Sequence, residues 1–220
     1  MRSNIPLNGI VFDMDGVLLT SSPIHEAAYR QALAALPVRI FDYSRIAGLR
    51  TRDGIHAVLA ENNILLTDDQ VEELAVAKSR IALERIIAEN PIAHGARGVL
   101  VSLSGRRQLA LASSASPETV STFVDRNELR PLFRCVLHSG NVSSAKPSPE
   151  IYEMAASRLG LAPGACLVIE DAVAGIQAAK AAGAVACGIP NTCPADQLEQ
   201  AGADFIIERL EDLLEIGALA

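Results

Sequence analysis

The apolar and polar positions of this chain follow two different rhythms. The run Gly9-Ile10-Val11-Phe12 stops abruptly at Asp13-Met14-Asp15-Gly16 and reads as a short buried strand. Helical spacing follows for a long way. Ile24, Ala27, Ala28, Gln31, Ala32 and Ala35 recur within Pro23 to Leu36, and Ile55, Val58 and Leu59 fall in a second segment from Thr51 to about Glu61. A third helix is predicted after Thr67, where Gln70 completes a capping-box pattern. Leu74, Ala77, Ile81, Leu83, Ile86 and Ile87 line its broad face until Asn90-Pro91 stops it. No strand pattern interrupts this stretch. Residues 18–90 are therefore expected to form a small all-helical domain.

From Pro91 onward the rhythm changes to strand and helix in alternation. Gln108 to Ala112, Arg134 to Leu137, Cys166 to Ile169, Ala184 to Cys187 and Phe205 to Ile207 read as strands. Helices are predicted from Pro117 to about Asn127, Pro149 to Leu159 and Ala172 to Ala182, with a last one near Leu210. Such alternation predicts an α/β fold, a doubly wound parallel sheet covered by helices. The first strand must join that sheet. Residues 1–17 and 91–220 then make one α/β unit, and the helical block is an insertion between its first strand and the rest.

Composition narrows the picture. Half of the residues are apolar, yet no charge-free run approaches the roughly 18 needed to span a membrane. The N-terminus has no basic-then-apolar signal pattern, so a cytoplasmic protein with no membrane partner is expected. The net charge of -7 shows no basic footprint for nucleic acid. Cys135, Cys166, Cys187 and Cys193 lack C-x-x-C spacing, which favours free thiols over zinc or disulfides.

Each well-formed strand ends in reactive or phosphate-friendly residues. Asp13 and Asp15 leave the first on one side of an extended chain. Two carboxylates held that close repel unless a cation or a proton separates them. Ser113 and Ser114 follow the second strand, Lys146 precedes a helix, and Glu170-Asp171 follow Val168-Ile169. Parallel strands share one C-terminal edge, so these groups can converge. Singly, each has a plainer explanation: an N-cap for Ser113, a solvated loop charge for Lys146, a helix-dipole partner for Glu170-Asp171. Together they suit phosphoryl transfer. Asp13, Asp171 and Glu170 are hard oxygen ligands of the kind Mg²⁺ prefers. Lys146 and the Ser113 hydroxyl can hold phosphate oxygens. One carboxylate of the first pair can attack phosphorus while the other moves protons.

On these residues the chain resembles the haloacid dehalogenase-like (HAD) superfamily, in the subfamily with a helical cap inserted after the first strand. Asp13-Met14-Asp15-Gly16-Val17 is similar to its first motif, Leu111-Ala112-Ser113 to the second, Lys146-Pro147-Ser148-Pro149 to the third, and Val168 to Ile176 to the fourth. The resemblance implies a Rossmann-like core, with Asp13 as nucleophile, Asp15 as acid and base, and Ser113 with the next backbone N–H on phosphate. It also implies that Mg²⁺ takes Asp13, the main-chain carbonyl of Asp15, and Asp171, with Glu170 direct or through water.

The same resemblance makes the cap the chooser of substrate, by closing over the core and excluding water. Its nearest subgroup holds sugar-phosphate phosphatases and β-phosphoglucomutase. His25 is similar to a histidine at the start of that cap, and Lys78 falls where the mutase has a substrate lysine. The mutase's substrate arginine has its register at Thr51, with Arg50 and Arg52 on either side, and Thr20-Ser21-Ser22 stands where Asp-Ser-Glu is usual. The expected activity is a Mg²⁺-dependent phosphatase of small phosphorylated metabolites, sugar phosphates above all. A phosphomutase on the same core is the nearest alternative. A receiver-like signalling domain, controlled by phosphorylation of an Asp on a doubly wound sheet, is the alternative of another class, but its usual single domain is shorter and has no helical insertion.

Overall fold

The structure, a computed structural model, describes residues 7–216. Six strands form among the described residues: β1 (Gly9–Phe12), β2 (Gln108–Ala112), β3 (Cys135–Leu137), β4 (Cys166–Glu170), β5 (Val185–Gly188) and β6 (Phe205–Ile206). They make one parallel sheet in the order β3-β2-β1-β4-β5-β6. The alternation of side chains explains why its strands read as near-continuous apolar runs. Ile10, Phe12, Leu109, Leu111, Leu167 and Ile169 bury into one apolar cluster. Val11, Ala110, Ala112 and Val168 bury into another on the opposite face. Each fully buried Leu, Ile or Phe there contributes roughly 2–3 kcal/mol. The predicted α/β class is the one observed.

Strand order reverses at β1, because β2 and β3 lie to one side of it and β4, β5 and β6 to the other. The crevice beyond the C-terminal ends of β1 and β4 is therefore the topological switch point, where sheets of this kind bind ligands.

Three helices lie between β1 and Pro91: α1 (Ser22–Ala32), α2 (Thr51–Glu61) and α3 (Asp68–Glu89). The capping box at Thr67 and Gln70 forms as expected. Helix α1 ends at Ala32 and not at Leu36, because the chain loosens into turns ahead of Pro37 and a residue before proline is kept out of helical geometry. These helices share a cluster of their own, built on Tyr29, Leu33, Ile46, Ile55, Val58, Leu59 and Val71. Ile24, Ala28, Ala82 and Ile86 instead join the cluster on the sheet. The two chain crossings run side by side. Thr20 N–H donates to Pro91 O at 2.8 Å and Ala93 N–H to Leu18 O at 2.8 Å.

The remaining helices are α4 (Ala96–Ser104), α5 (Pro117–Arg126), α6 (Glu150–Leu159), α7 (Val173–Ala181) and α8 (Ala195–Gln200). Helices α4 and α8 have no counterpart in the sequence reading, and the helix expected near Leu210 is a 3₁₀ turn over Leu210–Glu215. All four cysteines are free. Among the described residues no helix is long and apolar enough to cross a membrane.

Candidate active site

Asp13 is the first residue beyond β1, and its N–H donates to Ile169 O of β4 at 3.0 Å. The carboxylate is thereby fixed over the switch point. Lys146, 2 % exposed, reaches it from the loop before α6. Its Nζ donates to Asp13 Oδ1 at 2.5 Å, to Glu170 Oε1 at 2.7 Å and to the Ala112 carbonyl at 3.3 Å. The Tyr152 ring lies beneath the ammonium, 4.9 Å from Nζ to its centroid. A buried ammonium needs such partners, and each carboxylate needs it in return.

Both oxygens of Glu170 are engaged. Oε1 accepts from Lys146 and from the Tyr152 hydroxyl at 2.5 Å. Oε2 accepts from Asp171 N–H at 3.1 Å and Ala172 N–H at 3.3 Å, at the start of α7. Gly175 makes room for this carboxylate, since a Cβ at 175 would overlap it. Asp171 accepts from the Thr192 hydroxyl, and Gly16, at φ 80°, gives it space in the same way.

Asp15 turns the other way, toward the helical insertion. Its Oδ1 accepts from Ser21 Oγ at 2.6 Å and lies 2.9 Å from His25 Nε2. Lys78 Nζ stands 2.9 Å from His25 Nδ1 and 4.4 Å above the Tyr29 ring. An ammonium only donates, so Lys78 leaves the imidazole proton on Nε2, facing Asp15. The two acids of the first motif are thus held in opposite states. Burial above all, with the charges of Glu170 and Asp15, pushes the Asp13 carboxyl up to about 8 against the pull of Lys146. Asp15 is half-buried, and His25, Ser21 and Lys78 outweigh its desolvation and hold it down at about 2.

Ser113 follows β2 and its Oγ accepts from Ala115 N–H at 3.0 Å, while Ser114 Oγ donates to Gly48 O of the insertion at 2.7 Å. Asp13, Asp15, Asp171, Ser113 and Ser114 face a cavity of about 60 Å³, lined on the other side by His25, Thr51 and Lys78 among others. That is room for a handful of waters. Two of the sequence candidates stand elsewhere. Arg50 donates to the carbonyls of Ser139 at 2.8 Å, Val142 at 2.5 Å and Ser143 at 3.1 Å. Arg52 pairs with Asp68 at 3.3 Å on the outside. Sequence reasoning missed Ser21, Tyr43, Tyr152 and Thr192. Only Ser21 carried a signal, as part of the unusual Thr20-Ser21-Ser22.

The donor set fits a hard divalent cation. Carboxylate oxygens of Asp13, Glu170 and Asp171 lie within 4.8 Å of one another. Three buried acids face one ammonium here, and burial with the charges of Glu170 and Asp13 raises the Asp171 carboxyl well above the usual range. Oxygen ligands with surplus negative charge are what Mg²⁺ selects.

The profile of the haloacid dehalogenase-like hydrolases matches residues 7–183. A phosphorylated carbohydrates phosphatase of Thermotoga maritima is 29% identical over 80% of this chain and 82% of its own length. A β-phosphoglucomutase of Bacillus subtilis is 26% identical over 94% of this chain and 92% of its own. Among solved structures, a hydrolase from Pseudomonas syringae superposes with a TM-score of 0.85 at 26% identity, over 95% of this chain and 97% of that one. The profile spans most of the chain, with both the Asp13–Gly16 turn and the Glu170–Asp171 pair at the end of β4, and the chain belongs to the haloacid dehalogenase-like hydrolase family.

Proposed function

We propose that the protein is a Mg²⁺-dependent phosphatase of small phosphorylated metabolites of the sugar-phosphate kind, with residues 18–90 as its cap. The observation that carries this reading is the meeting of Asp13, Lys146, Glu170, Asp171 and Ser113 at the switch point, beneath the insertion. Without substrate Asp15 is held ionised, so it must first take up a proton from solvent as the negatively charged ester arrives beside it. An Asp13 oxygen attacks phosphorus, and the bond to the leaving oxygen breaks as Asp15 delivers it that proton. Asp15, ionised again, takes a proton from water. That water's oxygen displaces Asp13 from phosphorus and releases phosphate. Ser113 donates to phosphate oxygens, and Lys146 balances charge on them and on Asp13. Asp13, Asp171 and the Asp15 carbonyl would hold the cation, with Glu170 direct or through water. Bound there, it would keep Asp13 ionised beside a phosphate dianion.

The relation to a β-phosphoglucomutase supports a second reading, in which phosphate returns to the sugar. The placement of Arg50 and Arg52 favours release to water, because neither guanidinium faces the cavity to hold a second phosphate. A panel of phosphorylated sugars with Mg²⁺, scored for free phosphate and for isomerised sugar phosphate, decides between them. Free phosphate as the product is expected. Isomerisation of β-glucose 1-phosphate with a bisphosphate primer would replace the reading with the mutase.

The cation is expected to show itself in stability. Raised folded-state carboxyls stabilise the metal-free protein below the ordinary carboxylate range, and that contribution is lost as pH rises through about 8 for Asp13. Mg²⁺ binds the ionised acids, so it must compete with protons at lower pH. Added Mg²⁺ should therefore raise the melting temperature more at pH 8 than at pH 6. A chain of this size gains about 2–4 °C per kcal/mol. An equal shift at both pH values would refute the assignment of these acids.

A further inference from the structure

The cavity receives five polar side chains from the cap: His25, Tyr29, Tyr43, Thr51 and Lys78. Three are engaged within the protein. His25 lies between Asp15 and Lys78, Lys78 is turned onto His25 and the Tyr29 ring, and the Tyr29 hydroxyl donates to Thr51 O at 3.4 Å. The hydroxyls of Tyr43 and Thr51 are not. Among the described residues neither has a hydrogen-bond partner, although both line the cavity that holds Asp13 and Asp15.

Both are held firmly behind their free hydroxyls. Tyr43 opens a 3₁₀ turn, Tyr43–Arg45, capped by Asp42, whose Oδ1 accepts from Ser44 N–H at 3.0 Å and Ser44 Oγ at 2.7 Å. From the core, the Cys193 thiol donates to Ser44 O at 3.4 Å. The Tyr43 ring packs against Tyr29, centroids 6.2 Å apart. Burial, with the charges of Asp15, Asp171 and Asp13, raises the phenol well above its ordinary value and keeps it a donor. Thr51 is the first residue of α2, directly after Arg50, whose guanidinium is fixed on three carbonyls.

The cations around the cavity are differently placed. Lys146 is engaged by Asp13 and Glu170, Lys78 by His25, and Arg50 by the loop carbonyls. What the cap leaves open to a ligand is a pair of neutral hydroxyls.

We propose that Tyr43 and Thr51 are specificity-determining residues that read uncharged hydroxyls on the leaving group, so that the site takes monophosphate esters of polyols and neutral sugars in preference to bisphosphates. The inference rests on the phosphatase reading above. A site built to hydrogen-bond a hydroxyl discriminates strongly against an analogue that lacks it, because its own polar groups are then left unpaired.

The test compares wild type, Tyr43→Phe and Thr51→Val with Mg²⁺, on erythritol 4-phosphate and on butyl phosphate, which has the same carbon count and no hydroxyl. Wild type is expected to prefer the polyol ester. Each variant should lose about tenfold in kcat/KM on the polyol ester and change less than about twofold on butyl phosphate, with an unchanged melting temperature. Equal losses on both esters would make the two residues structural and overturn the proposal, as would no loss on either. Faster turnover of erythritol 1,4-bisphosphate than of the monophosphate would overturn it while leaving a phosphatase. If wild type releases phosphate from no ester at all, the phosphatase reading itself falls, and this inference with it.

Discussion

Replacing Asp13 with asparagine is expected to abolish Mg²⁺-dependent phosphate release from an aryl phosphate, by at least about 10⁴-fold, the scale on which removal of a nucleophile acts. The amide has nearly the size of the acid it replaces but offers phosphorus no carboxylate oxygen. The fold should tolerate it. In the metal-free protein burial already pushes this carboxyl up to about 8, so at pH 7 a neutral group of the same shape stands in its place. Lys146 keeps Glu170 as a partner. The melting temperature without metal should therefore stay near wild type while activity disappears. Wild-type turnover in Asp13→Asn would remove Asp13 from the reaction.

Lys146→Met is expected to cost both activity and stability. It withdraws the ammonium that holds two carboxylates, at 2.5 Å from Asp13 and 2.7 Å from Glu170, where Glu170 is 0 % exposed. Breaking a buried pair from one side typically costs about 3–5 kcal/mol, because a charge is left without a partner. The sign with pH follows from linkage. Without the ammonium, the Asp13 carboxyl rises further above its unfolded value, so its stabilising protonated form is lost as pH rises. Denaturant titrations should show a deficit smaller at pH 5 than at pH 8. A second replacement, Glu170→Gln, should recover part of it by removing the unpaired charge. A deficit that ignores pH would show that Lys146 acts by packing alone.

Much of this was legible from the chain. Asp13, Ser113, Lys146 and Asp171 stand at strand ends or beside helix starts, where buried apolar runs give way to polar residues, and parallel strands deliver such positions to one edge. Side-chain direction was not legible. Alternation put Asp13 and Asp15 on one side, yet Asp15 turns to Ser21 and His25 while Asp13 keeps Lys146. Tyr152, Thr192 and Tyr43 come from distant segments, and no local spacing connects them to the acids. Helix α4 was hidden by its brevity and by Gly98 within it, and α8 by its six residues. The strand order depends on where β4 crosses back beside β1, which apolar runs of similar length do not specify.

The three carbonyls that receive Arg50 belong to the segment leading to Lys146. Its neighbours Ser143 and Ser144 donate their N–H groups to Glu150, at 2.9 Å and 2.7 Å. A side chain anchored just ahead of α2 is in this way joined mechanically to the stretch of backbone that delivers the ammonium to Asp13. Lifting the insertion would strip that backbone of its guanidinium and loosen the ammonium's support. One arginine thereby ties the insertion to the backbone that carries the ammonium, two segments some ninety residues apart along the chain.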